Sequence, residues 1–320
     1  MKDTHAYSSM PIDELYAWFA GEAAPTSPTW GRLCRFIAGR PDLAALLDQL
    51  PGRKRQPNLF LGAIRYLDGP TDPGDDFVDW ARGHWSEITA VIAARATQTN
   101  EPGRCAVLAP LLASLGQPIA LFEVGASAGL CLLPDRYAYR YDGGPTIGDG
   151  SPVLECATTG TAPATPADLR IVARAGLDLN PLDAGDADDA RWLRALVWPG
   201  ETVREQRLSA ALEVAAADPP TVLKGSALED LDRLLARTPD GATPVVMHSA
   251  VLAYLARDER DAFVEAVRAS GAHWLSFEGS TVVTSLRDLV AAPERPHFLV
   301  ALDGEPVAFA SPHGSWVDWL

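Results

Sequence analysis

One stretch of this chain has the residue types and spacing to hold a ligand: Glu123-Val-Gly-Ala-Ser-Ala-Gly129, directly after the apolar run Ile119–Val124. A buried strand, a small-residue turn and a following helix make a nucleotide-cofactor loop. Small residues let backbone amides approach the ligand, and a helix N-terminus favours negative charge. Gly125, Ser127 and Gly129 are the small positions, and Glu123 is placed to accept a hydrogen bond from an ammonium or hydroxyl group. The spacing G-x-S-x-G departs from the dinucleotide pattern G-x-G-x-x-G, which argues against NAD. G-x-S-x-G is also the nucleophile elbow of α/β-hydrolases. Ser127 would then attack an acyl carbon, with His248, His273, His297 or His313 as base. Against this, hydrolase elbows follow several earlier strands of the same sheet, and an elbow has no use for an acid at position 123. The plainest alternative is a tight turn that holds no ligand.

The elements around this turn fall into two textures. Apolar residues recur at helical spacing at Ile12, Leu15, Tyr16, Phe19; at Trp30, Leu33, Cys34, Ile37; and at Leu43, Leu46, Leu47, Leu50. Phe77, Trp80, Ala81, Trp85, Ile88 and Ile92 continue the pattern after the break at Asp68–Asp76, and Leu108–Leu115 closes it before Gly116. No strand-like segment precedes residue 118. From there, apolar runs recur at Ile119–Val124, Ile171–Leu179, Thr221–Leu223, Val245–His248 and Trp274–Phe277, the mark of strands buried on both faces. Helical stretches alternate with them: one from Asp186 through Trp192, Leu193 and Leu196, one containing Leu208–Ala215, and one over Arg260–Ala269. His297–Leu302 and Pro306–Ala310 flank Asp303-Gly304, a hairpin signal. Thr158–Ala167 reads as a low-complexity loop. The expected fold is α/β: a Rossmann-like, mostly parallel sheet over 118–320 that ends in an antiparallel hairpin. A helical N-terminal region over 1–117 is expected to lid the site on the substrate side.

In this context Glu123–Gly129 resembles the first motif of class I S-adenosylmethionine (SAM)-dependent methyltransferases, an acid followed by G-x-G-x-G, with Ser127 in place of the middle glycine. Gly176-Leu-Asp178-Leu-Asn180-Pro181 resembles the end of that family's second strand, where the acid holds the ribose hydroxyls. Lys224–Asp230 resembles its third-strand motif beside the adenine, with Ser226 and Ala227 at the ligand and Ser226 standing where an Asp is usual. Val245–Ser249 resembles the fourth strand, which ends near the methyl group, and the terminal hairpin is similar to the sixth and seventh strands. The likeness covers roughly residues 105–320. One spacing differs: 49 residues separate Gly129 from Asp178, against the ~20 of Rossmann units. Either an insertion occupies about 131–170, or the second strand is Tyr137–Tyr141 and Asp142 is the ribose ligand. Asn180-Pro181 suits a chain leaving a sheet and Asp142-Gly-Gly reads as a plain turn, which favours Asp178. The chain as a whole also resembles a bacterial family of unknown function. Thr99–Cys105, Val124–Leu130, Asp135–Tyr137, Gly176–Leu182 and Arg191–Leu193 carry that likeness.

The resemblance implies SAM as cofactor and a methyltransferase acting on a small molecule. Transfer of the aminocarboxypropyl group, a reaction within SAM, and a non-catalytic nucleotide-binding module are the variants. Methyl transfer needs orientation and exclusion of water more than a nucleophile. A base serves a hydroxyl or ammonium acceptor; His248, at the end of the presumed fourth strand, is the first candidate, and Glu278, ending the next strand, is the second. Tyr254 and Trp274 offer aromatic faces to a sulfonium. Arg104, beside Asn100 and Glu101, either pairs with a carboxylate of cofactor or substrate or forms a surface ion pair. A ligand at the loop predicts that Gly129→Asp abolishes binding.

The net charge of −15 repels phosphate backbones and anionic lipid, so neither nucleic acid nor membrane is an expected partner. Arg53-Lys54-Arg55 is the one dense basic patch, read as solvated. Cys34, Cys105, Cys131 and Cys156 form no C-x-x-C pair, and no metal site is expected. No secretory apolar stretch follows Met1 and no apolar run has spanning length, so a cytoplasmic protein with reduced thiols is expected. The sequence leaves the oligomeric state open.

Overall fold

The computed structural model describes residues 10–320; the segment directly after Met1, on which the secretory reading rests, lies outside them. The described residues divide into two compact units, one of residues 10–99 with 187–206 and one of 100–186 with 207–320.

The first unit is helical: α1 (Ile12–Ala23), α2 (Pro28–Ala38), α3 (Pro41–Leu47), α4 (Pro57–Tyr66), α5 (Asp75–Gly83), α6 (Trp85–Ala94) and α8 (Ala187–Ala195). The residues at helical spacing contribute to its core, with Leu15, Tyr16, Leu33, Ile37 and Phe77 buried, and so does Phe60 of α4, a helix the spacing did not mark. The pattern over 77–92 is two helices rather than one, broken at His84, whose ring stacks on Trp80. Trp192 of α8 is buried in the same unit and donates to the carbonyl of Ala96 at 3.1 Å.

The second unit carries a ten-stranded sheet ordered β2-β3-β10-β9-β8-β7-β6-β1-β4-β5. Its strands are β1 (Ile119–Val124), β2 (Ala138–Tyr141), β3 (Val153–Thr159), β4 (Ile171–Asp178), β5 (Thr221–Lys224), β6 (Thr243–Ser249), β7 (His273–Gly279), β8 (Phe298–Leu302), β9 (Glu305–Ala310) and β10 (Trp316–Trp319). Helices α7 (Cys105–Ala113), α10 (Leu231–Leu235) and α11 (Arg257–Ala269) also belong to this unit, and the division between units falls within α9 (Thr202–Ala217). Every residue of α7 is buried, as a helix apolar on all sides requires.

Five strands, β5-β4-β1-β6-β7, pair in parallel. This is the doubly wound order, with its reversal between β1 and β6. Ligands of such sheets bind at the carboxyl edge beside that reversal. Here the edge holds the turn after β1 and the end of β6. The hairpin β8–β9 turns through Asp303 and Gly304, both at positive φ (54° and 91°), as a two-residue turn of the I′ kind demands.

The excess residues between β1 and β4 are an insertion. They form β2 and β3, which pair with each other and, through β3, with β10 at the far side of the sheet. Tyr137–Tyr141 therefore overlaps a true strand, but not the neighbour of β1. Thr158 and Thr159, read as loop, end β3. Nor does an α-helix follow the turn: the chain passes through two short 3₁₀ turns, Leu130–Leu132 and Pro134–Arg136, before β2. Pro134 cannot sit inside a helix begun at residue 130 without loss of a hydrogen bond.

Gly176 of β4 lies opposite Glu123, and a Cβ there would stand 2.4 Å from the Cβ of Ala126. The turn can fold back onto β4 only because position 176 has no side chain. Gly176→Ala should destabilise the protein by about 1–3 kcal/mol through overpacking, read as a lowered urea midpoint with unchanged m-value.

Candidate functional site

Alternation along the strands sorts the candidate residues onto two faces of the sheet. Val124 pairs with His248, and His248 with Ser276, so His248, Ser276 and Glu278 share the face of Phe122, Val246 and Trp274. Glu123 and Asp178 lie on the opposite face.

On the face of Glu123, the turn is cross-linked to its neighbours. Gly125 and Ala126 both donate to the carbonyl of Leu177 (2.8 and 3.1 Å). The Ser127 amide donates to Asp178 Oδ2 at 2.7 Å, Ala128 to Asn100 Oδ1 at 3.2 Å, and Gly129 to the carbonyl of Ala126. Asp178 Oδ1 accepts from the Asn180 amide at 2.8 Å. Asp178, not Asp142, is thus the acid at the loop; Asp142 lies at the end of β2 and binds Thr158.

The two outer glycines serve the chain's own packing. A Cβ at Gly125 would meet Val251 at 2.2 Å, and one at Gly129 would meet Pro220 at 2.6 Å. Gly129→Asp is therefore a folding lesion and not a probe of ligand approach. Ser127 has φ +52°, the left-handed region that favours glycine. This is why glycine suits the position and why serine is strained in it. Its Oγ is buried with no hydrogen-bond partner among the described residues.

Glu123 is buried, and its Oε2 likewise has no partner. Burial, then the neighbouring Cys131 and Asp178, push its pKa well above the ordinary glutamate value, while the Arg104 guanidinium pulls the other way. Arg104 forms no surface ion pair: it is buried, and donates to the carbonyls of Pro312 and Ser249 (both 2.9 Å) and to Ser249 Oγ (3.1 Å). It ties the entry to α7 to the end of β6 and to the turn after β9. Ser226 faces away from an adenine role as hydroxyl acceptor, since its Oγ accepts from the Leu228 amide and its own amide donates to Asp230. Ala227 packs against the core beneath the sheet.

On the other face, His248 cannot act as the expected base. Its ring is fully buried; Nε2 accepts from the Trp274 indole at 2.9 Å, so Nδ1 carries the proton and donates to Glu278 Oε1 at 2.9 Å. Both nitrogens are committed, and Trp274, one possible aromatic face for a sulfonium, is instead packed in the core, with its indole N–H donating to His248 Nε2. Glu278 Oε1 also accepts from the amides of Val251 and Leu252 (2.9 and 3.0 Å), and Oε2 is buried and unpartnered. Tyr254 is half-exposed as a residue, and desolvation raises the pKa of its phenol, Arg104 pulling it down and Glu278 pushing it further up. Among the described residues no cluster of His, Cys, Asp and Glu is placed to hold a metal ion, and no helix is long and apolar enough to cross a membrane.

Sequence spacing did not flag Asn100 as the partner of Ala128, Ser249 as the anchor of Arg104, or Val251 as the wall over Gly125. Each meets its partner across a long stretch of chain.

The fold and this edge define a doubly wound α/β protein whose carboxyl edge is lined by Glu123 and Asp178 and whose turn amides are satisfied within the chain. The chain belongs to the family described as "Uncharacterized protein conserved in bacteria (DUF2332)", whose model matches residues 13–319. Neither the curated proteins nor the solved structures contain a match to it.

Two variants test the geometry. Ser127→Gly should leave stability unchanged or raise it by up to about 1 kcal/mol, since relief of left-handed strain outweighs the added chain entropy. Glu123 has a raised folded-state pKa, so its contribution to stability is present at acid pH and is lost as pH rises through that value. Glu123→Gln lacks this loss, and its urea midpoint relative to wild type should therefore increase between pH 4 and pH 8.

Proposed function

We propose that this protein binds SAM at the carboxyl edge of β1 and β4 and is a methyltransferase acting on a small molecule. The observation that carries the reading is the buried, unpartnered Oε2 of Glu123 beside Asp178, at a turn whose amides are already engaged. A phosphate ligand needs free N–H groups and a helix N-terminus; this turn offers neither. An ammonium and a vicinal diol need acceptors, and Glu123 and Asp178 are acceptors. SAM carries both groups and no phosphate, and it would supply an electrophilic methyl group.

The remaining residues fit that ligand in part. Leu179, directly after Asp178, is 70% exposed and offers an apolar face to a purine. Asn180 follows it, and Ser226 retains its hydroxyl proton as a donor while lacking the acidity of the usual Asp. Arg104 holds the end of β6 in place, which makes it a positioning residue for the edge. The hydrolase reading is weaker: Ser127 Oγ has no bonded base among the described residues. His273 and His297 bind Asp303 and the Arg295 carbonyl instead.

Calorimetry with SAM, S-adenosylhomocysteine, NAD and ATP tests the proposal. SAM or S-adenosylhomocysteine should bind and the phosphate-bearing ligands should not. Glu123→Gln should weaken binding by about 10- to 100-fold through loss of a charge-assisted hydrogen bond. Folded wild-type protein that binds neither SAM nor S-adenosylhomocysteine would refute the assignment. Labelling of Ser127 by a fluorophosphonate probe would instead restore the hydrolase.

A further inference from the structure

Glu278 is 1% exposed, and a single oxygen of its carboxyl group takes all the donors bonded to it. His248 Nδ1 and the amides of Val251 and Leu252 donate to Oε1 at 2.9, 2.9 and 3.0 Å. Oε2 is buried and accepts from nothing among the described residues. Three donors on Oε1 hold the group still, so Oε2 is a fixed acceptor. A buried acceptor without a donor costs about 1–3 kcal/mol.

A second such atom lies on the same face of the sheet. β8 is antiparallel to β7, with Phe298 opposite Gly279 and Leu299 opposite Glu278, so the residue that enters β8, His297, stands at the carboxyl edge. Its ring meets that of Phe309 edge-to-face, with centroids 5.1 Å apart. Phe309 lies opposite Leu299, and residues paired across strands share a face, which places the imidazole on the face of Leu299 and Glu278. In register, His297 and Glu278 are diagonal neighbours, and positions so related stand about 7–8 Å apart, within reach of long side chains. His297 Nδ1 lies 2.9 Å from the Arg295 carbonyl oxygen. A carbonyl only accepts, so Nδ1 carries the proton of the neutral ring and Nε2 keeps its lone pair. Nε2 is buried and has no partner among the described residues.

Two buried acceptors thus share one face and one edge, and neither has a donor. The guanidinium of Arg295, two residues from His297, pairs with Asp318 and stacks over Trp316 instead. The neighbouring Leu299 and Phe309 are buried and apolar. A group that satisfies both atoms must bring at least two donors, and a carboxyl oxygen beside apolar walls favours one that also carries positive charge. A primary ammonium has three donors and that charge; a trapped water has two donors and none.

We propose that Glu278 Oε2 and His297 Nε2 together hold a primary ammonium group, and that the small-molecule substrate of this protein is an amine. The site lies on the opposite face of the sheet from Glu123 and Asp178, at the same carboxyl edge. That the amine is the methyl acceptor rests on the SAM reading; the ammonium site does not.

Nitrogen-15 NMR of protein labelled at histidine tests the site without a cofactor, with His297→Asn used only to identify the signals. Methylammonium and n-butylammonium chloride should shift the His297 Nε2 signal saturably to lower frequency, as that nitrogen accepts a hydrogen bond. Tetramethylammonium chloride at equal ionic strength carries the charge without an N–H and should leave the signal in place. Glu278→Gln keeps an oxygen for the three donors of Oε1 and puts an NH2 group at Oε2, so the folded variant should need about 10-fold more n-butylammonium for the same shift. A protonated Nε2 in the neutral wild type overturns the proposal. So does a signal that neither primary ammonium moves, as a trapped water predicts, or one that tetramethylammonium moves equally. These arms use the wild type alone, so they decide the matter even where Glu278→Gln does not fold; an unaltered response in folded Glu278→Gln also overturns it. If n-butylammonium shifts His297 while calorimetry shows no binding of SAM or S-adenosylhomocysteine, the ammonium site stands and the SAM reading falls. The reverse result removes the amine and leaves the SAM reading.

Discussion

A buried amide must find an acceptor, and the turn after β1 meets that requirement wholly from within the chain. Leu177, Asp178 and Asn100 supply the acceptors, so the turn becomes a joint between β1, β4 and the segment that enters α7. Leaving such groups unpaired would cost about 1–3 kcal/mol each. Once they are paired, what the turn shows to a ligand is not its backbone but the side chains that frame it. The joint therefore determines which chemistry the edge can recognise: groups that donate hydrogen bonds or carry positive charge.

Much of this was legible in the chain. Strands β1, β6 and β7 are short apolar runs buried along both faces, β4 and β5 are apolar but partly exposed, and Asp303-Gly304 marks its hairpin through backbone conformation alone. The strands that escaped notice, β3 and β10, lie near the far end of the sheet beside β2, which was read only as an alternative second strand at Tyr137–Tyr141. Val153–Thr159 alternates exposed and buried residues and is rich in threonine, so it resembles a loop in composition. The helix expected after the turn fails for a local reason, Pro134, that linear reading passed over.

The site was legible as positions but not as partners. Spacing correctly put His248 at the end of a strand, yet nothing in the linear pattern tells that its ring lies between Trp274 and Glu278. Asp178 was favoured over Asp142 because Asn180-Pro181 suits a chain leaving a sheet and Asp142-Gly-Gly reads as a turn, and the pairing of β4 with β1 supplies the physical reason. Glu278 and His297 stand on either side of the chain between β7 and β8, and only the antiparallel return of β8 brings them to one face. Side-chain roles here depend on strand alternation and on which loops share an edge, and both are properties of the assembled sheet.

The pairing of β3 with β10 carries a consequence for how the molecule comes into being. β3 is synthesised before most of the parallel core, yet its partner is Trp316–Trp319, far downstream of it in the chain. During translation the inserted ribbon must wait with one edge unpaired while the core strands emerge. Unpaired edges invite association with other chains, and contacts so distant in sequence form slowly. The sheet is thus closed last at its β2–β3 side, and the emergence of β10 is the event that protects it.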